Sequence, residues 1–266
     1  KDGEVRYGDV DRVIETAQAM AIPADQRLLH VLPRDYIIDK QDGIKEPLGM
    51  AGSRLEAKVH LVTCSENSSL NIHKCINASG LDVEAFVLEQ LASSYSVLTN
   101  DERDLGVCLI DIGGGTTDMA VFMDGSIAFT DVIPIAGDHV TNDIAQALRT
   151  PPTQAEHIKQ RYGCAVSSLT KPEEVMMVPG MGGRPERELS RQALADVLER
   201  RYVEIFSMAQ QKLSLSGFES LIPAGVVLTG GAAKVEGASE LAEEIFHAPV
   251  RLGSPHSLEG FSEIIN

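Results

Sequence analysis

The segment Leu109-Ile110-Asp111-Ile112-Gly113-Gly114-Gly115-Thr116-Thr117-Asp118 restricts what this chain can fold into more than any other stretch. An apolar run of strand length carries an aspartate into three glycines, and a second apolar run, Met119 to Met123, leaves on the far side. Glycine has no Cβ, so a turn built from it lets backbone amides approach an anion closely. The hydroxyls of Thr116 and Thr117 add donors toward phosphate oxygens. Asp111 is an oxygen ligand of the kind Mg²⁺ prefers, directly or through the waters that Mg²⁺ keeps when it sits on nucleotide phosphates. The plain alternative is a hairpin turn whose glycines only satisfy backbone geometry. The aspartate before the glycines and the threonines after them favour a phosphate loop. It is not a P-loop, because no lysine followed by Ser or Thr closes it. The spaced glycines of a dinucleotide fingerprint are also missing.

A second glycine turn lies far along the chain, in Val226-Val227-Leu228-Thr229-Gly230-Gly231-Ala232-Ala233. A buried strand followed by paired glycines and small residues leaves room for a flat ring or a ribose beside the backbone; a tight strand-to-helix turn is the bland reading. Glu156 and Lys159 stand three apart on a predicted helix and share a face. That spacing suits either the hydroxyls of a ribose or an ordinary solvated ion pair.

The surrounding elements follow from periodicity. Tyr7, Val10, Val13, Ile14 and Ala17 recur at helical spacing, with Asp9 or Asp11 to cap and Pro23 to end the helix. Strands are predicted over Leu28 to Ile38 and Arg54 to Thr63, with a turn at Asp42-Gly43, and a helix over Ser65 to Ser79 closing at Gly80. A helix over Val83 to Leu98 places Phe86, Val87, Leu91 and Tyr95 in an apolar stripe that reads as core, and Asn100 to Asp104 reads as an exposed connection. Leu105 to Ile110, Met119 to Met123 and Ser126 to Ile133 form a strand meander. Val140 to Ala147, Thr153 to Tyr162, Ser190 to Leu215 and Ala238 to Phe246 read as helices, with short strands or a loop over 170–188 and a buried strand at Gly225 to Leu228.

Composition excludes several classes. The net charge of −16 repels phosphate backbones and anionic lipid, so nucleic-acid binding is not expected. Cys64, Cys75, Cys108 and Cys164 are scattered, without zinc-knuckle or redox spacing, and fit reduced thiols in cytoplasm. No apolar stretch approaches the roughly 20 residues that cross a bilayer. The polar start Lys1-Asp2-Gly3-Glu4 reads as the interior of a longer protein.

Taken together, Asp111 to Thr117, Thr229 to Ala233 and Ala155-Glu156-His157-Ile158-Lys159 resemble the second phosphate loop, adenosine motif and ribose-side helix of the actin-like ATPase superfamily. Lys58 to Thr63, Leu91 to Thr99, Gly182-Gly183-Arg184-Pro185 and Val226 to Ala233 narrow the resemblance to the FtsA family of cell-division proteins, of gammaproteobacterial type. The resemblance implies an α/β, actin-like (ribonuclease H-like) fold with the FtsA-type 1C subdomain. Residues 1–80 would be 1C, 81–104 a returning part of 1A, 105–138 with 223–266 the nucleotide-binding 2A, and 139–222 the inserted 2B. It implies ATP and Mg²⁺ as ligands. Gly113, Gly114, Gly115, Thr116 and Thr117 would take the phosphates, Glu156, Lys159, Gly230, Gly231, Ala232 and Ala233 the ribose and adenine, and Asp111 the Mg²⁺, with no catalytic residue assigned. It further implies filaments of the protein itself, the FtsZ C-terminal peptide as partner of 139–222, and FtsN or other late division proteins as partners of 1–80. The first phosphate loop, the last helix of 1A and the C-terminal amphipathic membrane helix of the family have no counterpart in this sequence, and the linker around Ser214 to Ser220 is shorter. The implied location is the cytoplasmic face of the inner membrane at the septum. An MreB-like filament or a small-molecule kinase of the same superfamily is the alternative.

Overall fold

The computed structural model describes residues 3–255. The stretch from 256 onward, which closes the expected 223–266 segment, lies outside the described residues. The described chain forms two compact units, one holding the residues up to Ala92 together with Ser126–Ala128, the other Ser93–Gly125 and the residues from Phe129 onward.

In the first unit, strands β1 (Gln26–Ile38), β2 (Gln41–Ile44) and β3 (Leu55–Ser65) make an antiparallel sheet in the order β2-β1-β3. Helix α1 (Tyr7–Gln18) lays Val10, Val13 and Ile14 against a small core of Val5, Tyr36, Ile38 and Ile44. Asp9, in its first turn, accepts the Arg6 amide at 3.1 Å. The β1–β2 turn is not at Asp42-Gly43. It falls at Asp39 and Lys40, both with positive φ, and the Asp39 carboxylate accepts the amides of Ser53 and Arg54. Gly43 instead sits inside β2 at φ 76°, where the register slips by one residue between Tyr36↔Ile44 and Ile38↔Gln41. A positive φ at a bulge asks for glycine as much as a turn does, which is why sequence alone misplaced it. Helix α2 (Glu66–Ala78) starts at Ser65, whose hydroxyl accepts the Ser68 amide at 3.3 Å.

The predicted 83–98 helix is shorter than its pattern. Helix α3 covers only Glu89–Val97, and the amide of Leu88 is spent on His30 Nε2 at 3.0 Å. The apolar stripe points the wrong way: Val87 and Tyr95 are exposed, whereas Gln90, Ser94, Val97 and Leu98 are buried. Tyr95 lies under the Arg103 guanidinium, 4.7 Å from ring centroid to Cζ, so its exposed ring has a cationic partner. Asn100 to Asp104, expected as a connection, and Leu105, expected to open a strand, form helix α4 (Asn100–Leu105). Thr99 and Glu102 cap it reciprocally: the Glu102 amide donates to Thr99 Oγ1 at 3.2 Å and the Thr99 amide to Glu102 Oε2 at 2.8 Å.

The second unit is built on a five-stranded sheet in the order β10-β9-β4-β5-β6. Strand β4 (Val107–Ile112) runs antiparallel to β5 (Thr117–Met123) and parallel to β9 (Val226–Thr229), which is parallel to β10 (Val250–Leu252); β6 is Ser126–Ile133. Every residue of β4 is buried, so its apolar run does not alternate. Cys108, Ile110 and Ile112 of β4 with Met119 and Val121 of β5 join one core with helices α5 (Gly137–Ala147), α6 (Pro152–Tyr162), α7 (Arg191–Ser216) and α8 (Ala238–Phe246). Helix α7 buries Leu194, Leu198, Tyr202, Ile205, Phe206, Ala209 and Leu213, one continuous stripe at helical spacing. It is capped by Ser190 and stopped by Gly217 in the left-handed conformation. Residues 170–188, expected as short strands or loop, contribute β7 (Val175–Val178), which pairs with β8 (Arg187–Ser190).

Glu102 of α4 also receives Arg251 of β10, at 2.6 Å to Oε1 and 2.7 Å to Oε2. Those bonds, helped by Thr99 and outweighing burial, hold the Glu102 pKa down to about 2 from 4.5. A depressed carboxyl contributes stability above its unfolded value and loses it as pH falls through the folded one. Glu102→Gln is therefore expected to cost about 1 kcal/mol at pH 7, allowing for the solvent-screened guanidinium. Urea unfolding from pH 7 to pH 3 should show that deficit narrowing below about pH 4.5.

Candidate functional site

Both glycine turns open from the ends of neighbouring strands, which brings segments more than a hundred residues apart together. Asp111 of β4 pairs in register with Thr229 of β9, so the chain leaves both strands at one level of the sheet. The turn after β4 is closed by the Gly113 amide donating to Thr116 O at 3.0 Å. The turn after β9 passes so close that a Cβ on Gly230, at φ 91°, would meet Ile112 O at 2.4 Å and Asp111 Oδ1 at 2.5 Å. Only glycine fits there. Gly231 beside it has open space where a Cβ would stand.

The third wall is the start of α5. The Gly137 amide donates to Gly113 O at 3.0 Å and the Asp138 amide to Gly114 O at 2.8 Å, tying the helix N-terminus to the first glycine turn. A Cβ on Gly114 would lie 3.3 Å from both Asp138 carboxylate oxygens. Periodicity alone starts this helix at Val140, whereas the structure starts it at Gly137. The available signal was Gly137-Asp138 after an apolar strand, since a helix N-terminus gathers amides and positive potential.

The fourth wall is α6. The Lys159 side chain is 8% exposed and that of Glu156 36%, so the ion pair suggested by spacing joins a buried lysine to a half-exposed carboxylate. Lys159 Nζ donates to Glu156 Oε2 at 2.7 Å, Thr141 Oγ1 at 2.8 Å and Gly137 O at 3.0 Å. Glu156 also accepts from the Thr141 hydroxyl and, at Oε1, from Gln160 at 2.8 Å. Burial pulls the Glu156 carboxyl up, but the donors from Lys159, Thr141 and Gln160 outweigh it and leave the pKa below the ordinary value.

These walls enclose a cleft of about 600 Å³, a volume within the usual range for small-molecule sites. Gly113, Gly114, Glu156, Lys159, Gly231 and Ala232 line it, so six of the sequence-derived residues meet there; Gly137, Asp138, Arg161, Arg191 and Lys234 also face it. Other expected residues stand behind that surface. Thr117 is fully buried and its hydroxyl donates to Ile135 O at 2.8 Å. Thr116 Oγ1 donates to Asp118 Oδ2 at 2.8 Å. Asp111 is buried and accepts Ser93 Oγ at 2.7 Å. Its register partner Asp118 has a raised pKa, first from burial and then from the Asp111 charge beside it. Gly115, Gly230 and Ala233 shape the turns without lining the cleft. Among the described residues no group of three or more His, Cys, Asp or Glu is placed to hold a metal ion.

A family model described as cell division protein FtsA matches residues 108–265, which is more than half of the chain, and one described as the SHS2 domain inserted in FtsA matches residues 1–63. This chain belongs to the FtsA family. It is 62% identical to the cell division protein FtsA of Pseudomonas aeruginosa over 265 residues, covering 100% of this chain and 64% of that protein. It is 48% identical to the Escherichia coli K12 protein of the same name, covering 98% of this chain and 64% of that one. The FtsA-family chain thus spans 64% of the length of these curated relatives. Among solved structures it is similar to MreB5 of Spiroplasma citri bound to ADP, with a TM-score of 0.58 at 21% identity, covering 72% of this chain and 61% of that one. The PilM-PilN type IV pilus biogenesis complex gives a TM-score of 0.62 at 15% identity, covering 94% of this chain and 63% of that one. At such identities these likenesses establish the fold, which is α/β and actin-like.

Tyr202 of α7, fully buried, donates its hydroxyl to Ala232 O at 2.6 Å and so holds the second glycine turn from below. Tyr202→Phe leaves that carbonyl without its donor and is expected to cost about 1–2 kcal/mol in chemical denaturation.

Proposed function

We propose that the cleft binds ATP with Mg²⁺, and that the chain is the nucleotide-holding part of an actin-like cell-division protein that polymerises. In that reading the whole protein links the FtsZ ring to the cytoplasmic face of the inner membrane at the septum and recruits later division proteins. The observation that supports it most is the meeting of both glycine turns, the N-terminus of α5 and Glu156 around one cleft. A helix N-terminus beside a glycine turn suits a polyphosphate. The open space at Gly231 and the small side chain of Ala232 suit a flat base and sugar.

The residues present fit the nucleotide as follows. Backbone of Gly113, Gly114, Gly115 and Thr116 would face the phosphates, with Thr117 anchoring the turn from inside rather than touching them. Glu156, an acceptor with lone pairs to spare, would take a ribose hydroxyl, and Gly230 to Ala233 would lie along the sugar and base. Mg²⁺ would arrive on the phosphate oxygens and meet the buried Asp111 only through water. When bound, ATP supplies a phosphoanhydride open to hydrolysis, and turnover requires a water held in line with the γ-phosphate. No side chain facing the cleft is assigned that task, so the reading is a nucleotide-dependent scaffold with at most weak ATPase activity.

The subdomain assignment belongs to the same proposal: 1–80 as 1C, 81–104 as part of 1A, 105–138 with 223–266 as 2A, and 139–222 as 2B. The SHS2-type match over residues 1–63 supports the first of these. The FtsZ C-terminal peptide would dock on 139–222 and FtsN or other late proteins on 1–80. In the same reading the whole protein is peripheral on the inner membrane; among the described residues no helix is long and apolar enough to cross a membrane.

Two measurements test this. In the full-length protein, Gly114→Val pushes a branched side chain toward Asp138 and should lower ATP affinity more than tenfold, with sedimentable filaments lost. Normal filaments without nucleotide retention would break the link between the two. Titration with the FtsZ C-terminal peptide should saturate and should weaken when the 139–222 surface is altered; phosphate transfer to a small-molecule acceptor would favour a kinase instead.

A further inference from the structure

We propose that Ser93 is a positioning residue that aims the Asp111 carboxylate at the hydrated Mg²⁺ of the nucleotide. The inference rests on the nucleotide reading above and concerns a residue that does not line the cleft. Within the second unit, Ser93 of α3 donates its hydroxyl to Asp111 Oδ2 at 2.7 Å. A serine inside a helix ordinarily points to solvent or bonds the carbonyl four residues earlier. Here the hydroxyl is spent on a carboxylate of another element. Asp111 is 8% exposed, and its other oxygen abuts the second glycine turn: Oδ1 lies 2.5 Å from where a Cβ on Gly230 would stand. The side chain is gripped from two sides, by α3 at one oxygen and by Gly230 at the other.

An aspartate in this place needs such a grip. The terminal torsion of the side chain is broad, so the strand fixes Cβ and leaves the carboxylate plane free to turn. The residue in register on β5 offers no opposite charge. It is Asp118, a second carboxylate on the same face, whose Oδ2 accepts Thr116 Oγ1 at 2.8 Å. A donor at Asp111 Oδ2 sets the plane and still leaves lone pairs for the waters of a metal. Mg²⁺ demands near-ideal octahedral geometry and keeps several waters, so an oxygen that bonds those waters has to face them correctly. Helix α3 is itself well held. Arg103 Nη2 donates to Ser94 O at 3.2 Å, Arg251 Nη2 donates to Val97 O at 2.8 Å, and a Cβ on Gly253 would stand 3.0 Å from Val97 Cβ. The hydroxyl is therefore presented by a fixed element. The bland alternative is that Ser93 only satisfies a buried carboxylate. The two differ in one respect: a positioning role matters when the metal is present, and simple satisfaction matters equally with and without it.

The test is equilibrium binding of ATP to the full-length protein, once in excess Mg²⁺ and once in EDTA. The ratio of the two affinities is the metal advantage. Groups that orient a metal's ligand are typically worth about 10–100-fold in metal affinity. For Ser93→Ala the metal advantage should accordingly fall by about tenfold, while affinity in EDTA changes by less than about threefold. Ser93→Thr, which keeps the hydroxyl, should restore most of the advantage. Asp111→Asn should remove the advantage, and adding Ser93→Ala to it should lower ATP affinity in Mg²⁺ far less than Ser93→Ala does alone, because both changes act through one carboxylate. Equal losses in Mg²⁺ and EDTA would make the hydroxyl merely structural and overturn the proposal. A larger metal advantage in Ser93→Ala would do the same, since the hydroxyl would then be a competitor of the metal waters. Fully multiplicative losses in the double variant, or no loss at all, also count against it. If Ser93→Ala does not fold, Ser93→Cys takes its place: its thiol is a weak donor, and an unchanged metal advantage overturns the proposal. Failure of the unsubstituted protein to bind ATP under either condition would remove the nucleotide reading itself, whereas ATP binding with the wrong metal profile removes only this inference.

Discussion

Two backbone hydrogen bonds, from the Gly137 and Asp138 amides to the carbonyls of Gly113 and Gly114, are the joint on which the candidate site depends. They are short-range contacts between segments that the sheet alone would leave independent. The strand order β9-β4-β5 sets the two glycine turns side by side, but nothing in that order requires the start of α5 to face them. The bonds supply that requirement. They also explain why glycine stands at both 113 and 137. At 137 a Cβ would crowd Gly113 O at 3.0 Å, and at 113 it would crowd Thr116 O at 3.3 Å. Each substitution would lengthen a bond that closes the cleft. The turn is therefore built for close approach of backbone to backbone first, and close approach of backbone to an anion follows from the same geometry.

Much of this was legible in the sequence where one physical cause controls the pattern. The buried strand β4 showed as an unbroken apolar run, α7 as a long stripe at helical spacing, and both glycine turns as strand ends running into glycines, of which Gly230 admits no side chain. Misreadings arose where a tertiary contact overrode the local pattern. The apolar stripe of 83–98 pointed at core, yet α3 buries the polar Gln90 and Ser94, and Tyr95 is turned outward beneath Arg103. Periodicity says that two faces differ; it does not say which face finds a partner. Gly43 was given to a turn because a bulge and a turn ask the same φ of a glycine.

The Glu156–Lys159 pair shows a different limit. At three residues apart on a helix it has the signature of the commonest exposed ion pair, worth little to stability. Only burial and the full set of partners separate that case from the one present, and neither is local. Thr141 and Gly137, which complete the cluster, come from another helix, and nothing in their own neighbourhood marks them as acceptors for a lysine.

The same accounting bears on how a cleft in so acidic a chain could hold a polyanion. Four cations line it: Lys159, Arg161, Arg191 and Lys234. Two of them are already spent. Arg191 donates to Tyr162 O at 2.9 Å and to the carboxylates of Glu174 and Glu236, and Lys159 is saturated by its three acceptors. Arg191, with its charged form favoured by hydrogen bonds to Glu174 and Glu236, joins α6, the approach to β7 and the segment before α8 into one wall. A count of side-chain charges therefore overstates the attraction available to phosphate. What remains is a pair of cations, the dipole of α5 and the amides of a glycine turn. Backbone dipoles are held in place once the fold is made. On the nucleotide proposal, such a site would lean on the spacing of its loops as well as on Arg161 and Lys234.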